Sequence, residues 1–264
     1  MTENLLIDID DRGVATVTMN RPAVHNAFND ALIAALHDAA DRLERDERVR
    51  VILLRGAGKS FSAGADLDWM KAAASYTEQE NHADAQKLSE MLHRLNTCPR
   101  PVVALVQGAA MGGGAGLVAC ADIAIAVRGA VFAFSEVRLG LTPATISPYV
   151  LAKIGESAAR RFFITGTKFD AEAAERIGLI HQTVGSEDDL EAAGAQMIDS
   201  LLKAAPGAQA AAKDLVHLIK GRAIDAALRD ETAARIAARR TSDEGREGVA
   251  AFLEGRTPRW IKEE

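Results

Sequence analysis

The alternation of short apolar strands with amphipathic helices is the feature that most restricts how this chain of 264 residues can fold. Apolar runs of strand length recur along its first two thirds, and between them apolar residues repeat at helical spacing. The predicted strands are 5–10, 14–19, 51–55, 101–106, 123–127 and 131–134, and the predicted helices are 29–45, 83–97 and 115–120. Strands that alternate with helices through about residue 185 favour an α/β architecture over a helical bundle.

The pattern changes after Ser186, where stretches rich in alanine and leucine begin. Pro206 and Gly221 divide these stretches, and the high helix propensity of alanine supports a helical interpretation of each. They cover 187–204, 206–220, 223–240 and 242–253. We therefore predict a core over residues 1–200 and a separate helical region over residues 201–264.

The composition narrows the class of partner. The 31 Lys and Arg residues are outnumbered by 37 Asp and Glu residues, which gives a formal charge of −6, and aromatic residues make up only 5% of the chain. Nucleic-acid-binding proteins usually carry a basic surface, and those that bind single strands also use aromatic stacking platforms. We therefore expect no nucleic-acid partner, although the net charge still allows a local basic patch for a phosphorylated ligand.

The cysteines and histidines do not form a disulfide or metal pattern. Cys98 and Cys120 are too few for a disulfide scaffold and are predicted to be buried thiols, and the six histidines lack the spacing of metal ligands. The first residues, Met1 to Asn4, contain no apolar run typical of a signal peptide, and no later run reaches the length of a membrane span. We expect a cytoplasmic protein with no metal and no membrane partner.

Three familiar glycine and serine motifs are excluded. The sequence Gly58-Lys59-Ser60 lacks the glycine that a P-loop needs five residues earlier, where Leu53 stands. The glycines of 112–116 fit no dinucleotide-binding register, and the G-x-S-x-G turn of serine hydrolases does not occur. The sequence therefore does not support nucleotide binding or serine hydrolysis through these motifs.

Two glycine-bearing turns remain as candidate sites. In 61–67, small residues would let a ligand approach the backbone, with the N–H of Ala65 free to point at it. At Gly112–Gly114 a strand ends and a helix begins, and the N–H groups at a helix N-terminus favour a negatively charged oxygen. Two backbone donors directed at one carbonyl oxygen would form an oxyanion hole. The same glycines also fit a purely structural role in tight turns and close packing, and spacing alone does not decide between the two.

Four segments resemble the crotonase, or enoyl-CoA hydratase/isomerase, superfamily, and the resemblance covers essentially the whole chain. Residues 20–29 are similar to its CoA-binding turn, 61–67 and 106–114 to its two oxyanion-hole segments, and 134–141 to its catalytic acid segment. The resemblance implies an α/β fold, a spiral of ββα units that holds the active site, with a C-terminal helical region for trimerisation. It also implies an acyl-CoA thioester as the ligand, no cofactor apart from the CoA of the substrate, and a homotrimer or a hexamer made of two trimers.

Carried over by position, the resemblance makes Glu136 the catalytic residue and the N–H groups of Ala65 and Gly113 the oxyanion hole. Typical hydratases of the family use two glutamates, and this chain has Gly116 where the first would stand. The glycine removes one acid/base group and predicts extra room in the pocket. A lone carboxylate can still carry a proton to the α-carbon, because burial raises its pKa toward the working range. The further substrate or CoA contacts that the resemblance implies are Val24, Ala63, Asp66, Leu67, Gly116 and Phe252.

The segment 135–150 looks like that of bacterial methylglutaconyl-CoA and isohexenylglutaconyl-CoA hydratases, which belong to leucine and acyclic terpene catabolism. Residues 66–70 and 116–118 resemble the same subgroup. The resemblance implies that water adds across the 2,3 double bond of a branched acyl-CoA such as 3-methylglutaconyl-CoA, with Glu136 as the proton donor. The alternative is an enoyl-CoA isomerase that moves a proton with one carboxylate. A dehalogenase is disfavoured because Ala144 stands where the nucleophilic aspartate would be needed.

The phosphates of CoA need cations, and Arg21, Lys59 and Arg256 are the candidates. In the relatives, a C-terminal phenylalanine and a nearby basic residue of a neighbouring subunit often touch the nucleotide. Phe252 matches that phenylalanine, and Arg256 is the nearby basic residue.

Overall fold

The strands of the computed structural model, which describes residues 3–261, lie in two sheets. They are β1 (Leu5–Ile9), β2 (Val14–Met19), β3 (Val51–Gly56), β4 (Val102–Val106), β5 (Ala109–Met111), β6 (Ile123–Val127), β7 (Val131–Ala133), β8 (Phe169–Asp170) and β9 (Gln182–Val184). The larger sheet has the order β1-β2-β3-β4-β6-β9, in which β1 and β2 are antiparallel and the other neighbours are parallel. The smaller sheet has the order β5-β7-β8. The predicted α/β class is confirmed.

Helices separate most of these strands and cover the larger sheet. They are α1 (Asp30–Arg45), α2 (Leu67–Ala73), α3 (Glu78–Thr97), α4 (Gly113–Cys120), α5 (Ser147–Thr165), α6 (Ala171–Arg176), α7 (Glu187–Leu202), α8 (Pro206–Ile219), α9 (Ala226–Thr241) and α10 (Asp243–Glu254). Short 3₁₀ turns lie at Pro22–Val24 and Glu136–Leu139. Helices α1 and α3 pack against each other, and α7 packs against β4, β6 and β9.

The apolar strands β3 and β4 lie in the middle of the larger sheet. Their residues Val51–Leu54 and Val102–Val106 are buried without alternation. Parallel strands covered on both faces bury every side chain, which explains why these segments are continuous apolar runs. The two strands are paired in parallel, with Ile52 opposite Val102 and Leu54 opposite Ala104. Their carboxyl ends therefore lie at the same edge of the sheet.

Three helices, α2, α5 and α6, were not predicted from periodicity, and α3 begins at Glu78 rather than at residue 83. The earlier start of α3 has a local cause, because Thr77 and Glu80 form a reciprocal capping box. In α5, Pro148 lies in the first turn and Gly155 has a φ of +70°, so the helix is interrupted and its apolar spacing is obscured.

The C-terminal helices agree with the predicted ones to within a few residues. Helix α7 packs on the larger sheet, whereas α10 packs against α8 and α9. The two cysteines are buried and free, as predicted. Within residues 3–261 no helix is both long and apolar enough to cross a membrane. Met1 and Thr2, part of the segment used to predict that no signal peptide is present, lie outside the described residues.

Candidate active site

The first oxyanion-hole segment lies between the turn before α1 and strand β5. On one side, the Phe28 N–H donates to Gly64 O (2.6 Å) and the Asp66 N–H donates to Phe28 O (2.9 Å). On the other side, the Met111 N–H donates to Ser62 O (3.0 Å). Ala65 forms a parallel bridge with Phe28, and in such a bridge the opposed residue turns its own N–H outward. Within the described residues the Ala65 N–H has no acceptor, so it is available to a ligand.

The second donor is the Gly113 N–H, at the first position of α4. The opening N–H groups of a helix have no intrahelical acceptor, and that of Gly113 has none elsewhere in residues 3–261. A Cβ on Gly113 would lie 2.8 Å from the ring of Phe28, so this position needs a glycine. Phe28 therefore contacts both segments, through its backbone at Gly64 and Asp66 and through its ring at Gly113. This shared neighbour brings the Ala65 and Gly113 turns together.

Glu136 lies beside the Gly112–Gly113 turn, at the start of the 3₁₀ turn that follows β7. A Cβ on Gly112 would lie 3.2 Å from Glu136 Oε1, which places the carboxyl group against the turn that carries the second donor. Glu136 Oε2 is buried and has no hydrogen-bond partner among the described residues. Burial raises the pKa of Glu136, because the charged form loses solvation that a hydrogen bond from its own backbone only partly replaces. A half-buried carboxyl group with a raised pKa can hold and deliver a proton.

The extra room predicted at Gly116 is not there. An added Cβ would lie 2.2 Å from Ile146 Cγ2 and 2.7 Å from Ile146 Cβ, and Ile146 is almost completely buried. The prediction of extra room is wrong because Ile146, the residue before α5, fills the space where a longer side chain would extend. The site thus has an apolar side chain packed where typical hydratases carry their first glutamate.

We expect Gly116→Glu alone to destabilise the protein by about 1–3 kcal/mol, the usual cost of overpacking a core. In the Gly116→Glu, Ile146→Gly double variant, part of that stability should return because the colliding side chain is removed. Urea unfolding of the two single variants and the double variant measures the coupling. Equal stability of Gly116→Glu and the wild type would contradict the packing described above. Hydration of crotonyl-CoA by the double variant then tests whether the missing carboxylate is what limits that reaction.

The remaining predicted contacts lie in different surroundings. Val24, Ala63 and Leu67 are exposed, with 72% of Leu67 accessible to solvent, and can meet a ligand that lies over the Ala65 turn. Asp66 is buried and ion-paired. Phe252 is 84% exposed on α10 and faces solvent in the single chain.

The three candidate cations for the CoA phosphates differ in availability. Arg21 pairs with Asp66 at 2.8 Å, and Arg256 pairs with Glu247 (2.7 Å) and Glu254 (2.6 Å). Lys59 is exposed and has no ion pair within residues 3–261. Of the three, Lys59 is therefore the cation most available to bind a phosphate.

Sequence reasoning missed the supporting roles of Phe28 and Ile146. Phe28 is within a segment that the resemblance marked for CoA binding, but its contact with Gly113 joins residues 85 positions apart in the chain. Ile146 meets Gly116 across the turn between the catalytic segment and α5. The one hint in the sequence is a glycine inside the predicted helix 115–120, which suggests a close neighbour at Gly116. The sequence does not show that this neighbour is Ile146.

The chain is similar to known proteins in both sequence and structure. The family model described as enoyl-CoA hydratase/isomerase matches residues 10–263. A crystal structure of an enoyl-CoA hydratase from Shewanella pealeana is 42% identical, covers 97% of this chain and 96% of its own, and superposes with a TM-score of 0.94. The 1,2-epoxyphenylacetyl-CoA isomerase of Escherichia coli K12 is 33% identical over 98% of this chain and 99% of its own length. A crotonyl-CoA hydratase of Syntrophomonas wolfei is 31% identical over 98% of each.

The α/β fold and these matches define an enzyme of the crotonase superfamily. Within that class, the chain belongs to the enoyl-CoA hydratase/isomerase family.

Proposed function

We propose that the protein is an enoyl-CoA hydratase that adds water across the 2,3 double bond of a branched acyl-CoA thioester. The observation that carries the proposal is the Glu136 carboxyl group, which has an unpartnered buried oxygen and a raised pKa beside the Gly112–Gly113 turn. A carboxyl group whose pKa is raised keeps its proton to higher pH, which suits protonation of the α-carbon of an enolate. The Ala65 and Gly113 N–H groups, which have no acceptor within residues 3–261, supply the two donors that the proposal assigns to that enolate oxygen.

The proposed reaction needs one acid and two donors. The N–H groups of Ala65 and Gly113 donate to the thioester oxygen, which draws electrons from the double bond and makes the β-carbon electrophilic. Water attacks the β-carbon, the π electrons move toward the thioester oxygen, and the enolate forms. Glu136 then gives its proton to the α-carbon, and the proton lost by the attacking water restores the acid. The product is the 3-hydroxyacyl-CoA, with every atom of water retained.

The branched substrate class, with 3-methylglutaconyl-CoA as the example, is supported by the resemblance of 135–150 to hydratases of branched dicarboxylic thioesters. The packing of Ile146 on Gly116 supports a site that differs from that of a straight-chain hydratase with two glutamates. The branched substrate would place the enzyme in leucine catabolism or a related pathway of branched acids.

A second candidate, an enoyl-CoA isomerase, is favoured by the same apolar packing. With Ile146 against Gly116 there is no carboxylate at that position to direct a water molecule, and a lone Glu136 suffices to move a proton from one carbon to another. The description of the matching family model, enoyl-CoA hydratase/isomerase, includes this alternative.

A panel of three thioesters tests the proposal. We expect 3-methylglutaconyl-CoA to be hydrated faster than crotonyl-CoA, and a 3-enoyl-CoA to be isomerised slowly or not at all. Loss of the conjugated enoyl absorbance measures hydration, and chromatography of the products separates it from isomerisation. Rapid isomerisation of the 3-enoyl-CoA with no hydration of either other thioester would replace the hydratase by the isomerase.

The proposed assembly is a homotrimer or a hexamer in the cytoplasm, with no cofactor apart from the CoA of the substrate. Its support is the exposed apolar side chains of the C-terminal region, where Ile224 before α9 and Phe252 and Leu253 on α10 are each more than three quarters exposed. A cavity of about 640 Å³ lies among α8, α9 and α10 and is lined largely by apolar side chains. Contiguous apolar surface of this kind marks an association site.

A further inference from the structure

Arg21 and Asp66 form an ion pair next to the Ala65 turn. Arg21 Nη2 lies 2.8 Å from Asp66 Oδ2, and the two side chains are only 16% and 11% exposed. The other terminal nitrogen of Arg21, Nη1, donates to Ala27 O. One guanidinium therefore holds a residue on each side of the bridge between Phe28 and Ala65.

The second carboxylate oxygen of Asp66 is also in use. Asp66 Oδ1 accepts from the Asp68 N–H at 2.9 Å and from the Trp69 N–H at 3.5 Å, so Asp66 caps the N-terminus of α2. Burial acts to raise the pKa of Asp66, but the hydrogen bonds from Arg21 and the two backbone N–H groups outweigh it and lower the pKa. Asp66 is therefore ionised at neutral pH and joined to Arg21, the start of α2 and, through its own N–H, Phe28 O.

The backbone of the preceding turn is held in the same way. Asn26 is completely buried, accepts from the Arg21 N–H at 2.8 Å and donates to Ala57 O and Ser60 O at 2.9 and 2.8 Å. The turn that follows β2 and carries Arg21 is thus connected to the loop leading to Ala65 by hydrogen bonds of buried side chains. The Arg21 guanidinium is only 16% exposed and is already paired with Asp66, so it is poorly available to a phosphate.

We propose that Arg21 and Asp66 are positioning residues, which fix the peptide plane of Ala65 so that its N–H faces the thioester oxygen. This inference rests on the oxyanion role of Ala65 in the proposed function. An oxyanion donor acts only when it is aimed where the charge develops, and a misplacement of about 1 Å costs on the order of a hundredfold in rate. The bridge to Phe28 fixes one side of Ala65, and the ion pair fixes the residue that follows it.

The test uses Asp66→Asn, which keeps an oxygen to cap α2 and removes the charge that holds Arg21. The matched control is Asp41→Asn, which breaks the Arg94–Asp41 pair (2.7 Å) between α1 and α3, away from the site. The probe is acetoacetyl-CoA, whose enolate absorbs in the near ultraviolet and presents an oxyanion to the two donors. The probe is not hydrated, so its binding does not depend on the natural acyl group.

We expect Asp66→Asn to bind the enolate of acetoacetyl-CoA at least about tenfold more weakly than the wild type, as suits a misdirected donor, and Asp41→Asn to bind it normally. Arg21→Lys keeps the positive charge but loses the forked guanidinium that reaches both Asp66 and Ala27 O. Its affinity for the enolate should therefore lie between those of Asp66→Asn and Asp41→Asn. On the preferred substrate, Asp66→Asn should lower kcat more than it changes KM. Free CoA has no acyl carbonyl, and all variants should bind it alike.

Two results would overturn the inference: an unchanged enolate band in Asp66→Asn and Arg21→Lys, or an equal loss of free CoA and acetoacetyl-CoA binding, which would make the pair a direct CoA contact. If Asp66→Asn does not fold, Arg21→Lys decides by the same readouts. The underlying oxyanion assignment is tested separately by Gly113→Pro, which removes the other donor of the same proposed hole. If the assignment is wrong, this variant gives the same enolate band as the wild type, whatever Asp66→Asn does.

Discussion

Glu136→Gln should lower turnover of the preferred thioester by at least about a hundredfold, the usual contribution of a positioned acid/base group. The amide has nearly the same shape as the carboxyl group but cannot deliver a proton to the α-carbon. Substrate binding should change little, since the thioester oxygen is held by the N–H groups of Ala65 and Gly113. Steady-state kinetics with the wild type and the Gln variant measure kcat and KM separately. Near-wild-type turnover would remove Glu136 from the mechanism.

The raised pKa of Glu136 predicts two pH effects with the same origin. Activity that needs the protonated acid should fall as the pH rises through that pKa, and this limb should be missing from the residual activity of Glu136→Gln. The free energy of unfolding should also fall as the pH rises through the pKa of Glu136. A carboxyl group whose pKa is raised by folding contributes stability below its unfolded pKa and loses it as the pH rises through the folded pKa. The Gln variant should therefore unfold at higher urea concentration than the wild type at pH 8, with the difference vanishing in acid.

A matched control for these effects is Glu156→Gln. Glu156 lies on the exposed surface of α5, where its one ion pair among the described residues is with Arg160 at 3.4 Å. An exposed pair of this kind contributes little to stability. This control should keep both the activity and the pH profile of the wild type, so that a general effect of neutralising a glutamate is excluded.

The α/β class and the positions of most strands along the chain could be predicted, because a strand that is buried on both faces consists of apolar residues. Strands β3 and β4 are covered on both faces, so every position in 51–54 and 102–106 is apolar and the runs are visible in the sequence. Helix α5 could not be predicted from spacing, because Pro148 and Gly155 interrupt its pattern. Its position matters, since the residue that precedes it packs on Gly116 and decides what fits there.

Part of the candidate site could likewise be predicted from the sequence, and part could not. The glycines of the two turns are visible in the sequence because close backbone approach permits little else, although their chemistry needed the resemblance. The pairing of Arg21 with Asp66 was not visible, since the two residues are 45 positions apart and the sequence analysis assigns them separately, Arg21 to a CoA phosphate and Asp66 to a substrate contact. This contact forms because the bridge between Phe28 and Ala65 brings their two loops together. The local sequence of either loop does not predict that bridge.

Gly113→Pro removes the second donor and should lower kcat by about 10²- to 10³-fold, which corresponds to about 2.7–4 kcal/mol of transition-state stabilisation. Proline is tolerated at the first position of a helix, because the N–H it lacks has no intrahelical acceptor there. The substitution also adds a Cβ, which would lie 2.8 Å from the ring of Phe28 and force that ring to move. The loss of activity therefore combines a missing donor with a steric effect, and the two must be separated.

Gly113→Ala separates them, because it adds the same Cβ and keeps the N–H. Both variants should lose stability to urea by similar amounts, since the collision with Phe28 is common to them. Only the proline variant should also lose the donor, so its kcat should fall well below that of the alanine variant. Repeating both in a Phe28→Leu background relieves the collision and should leave the difference in place. Equal kcat for Gly113→Ala and Gly113→Pro would mean that the Gly113 N–H does not stabilise the enolate, and that the glycine is needed only for its packing against Phe28.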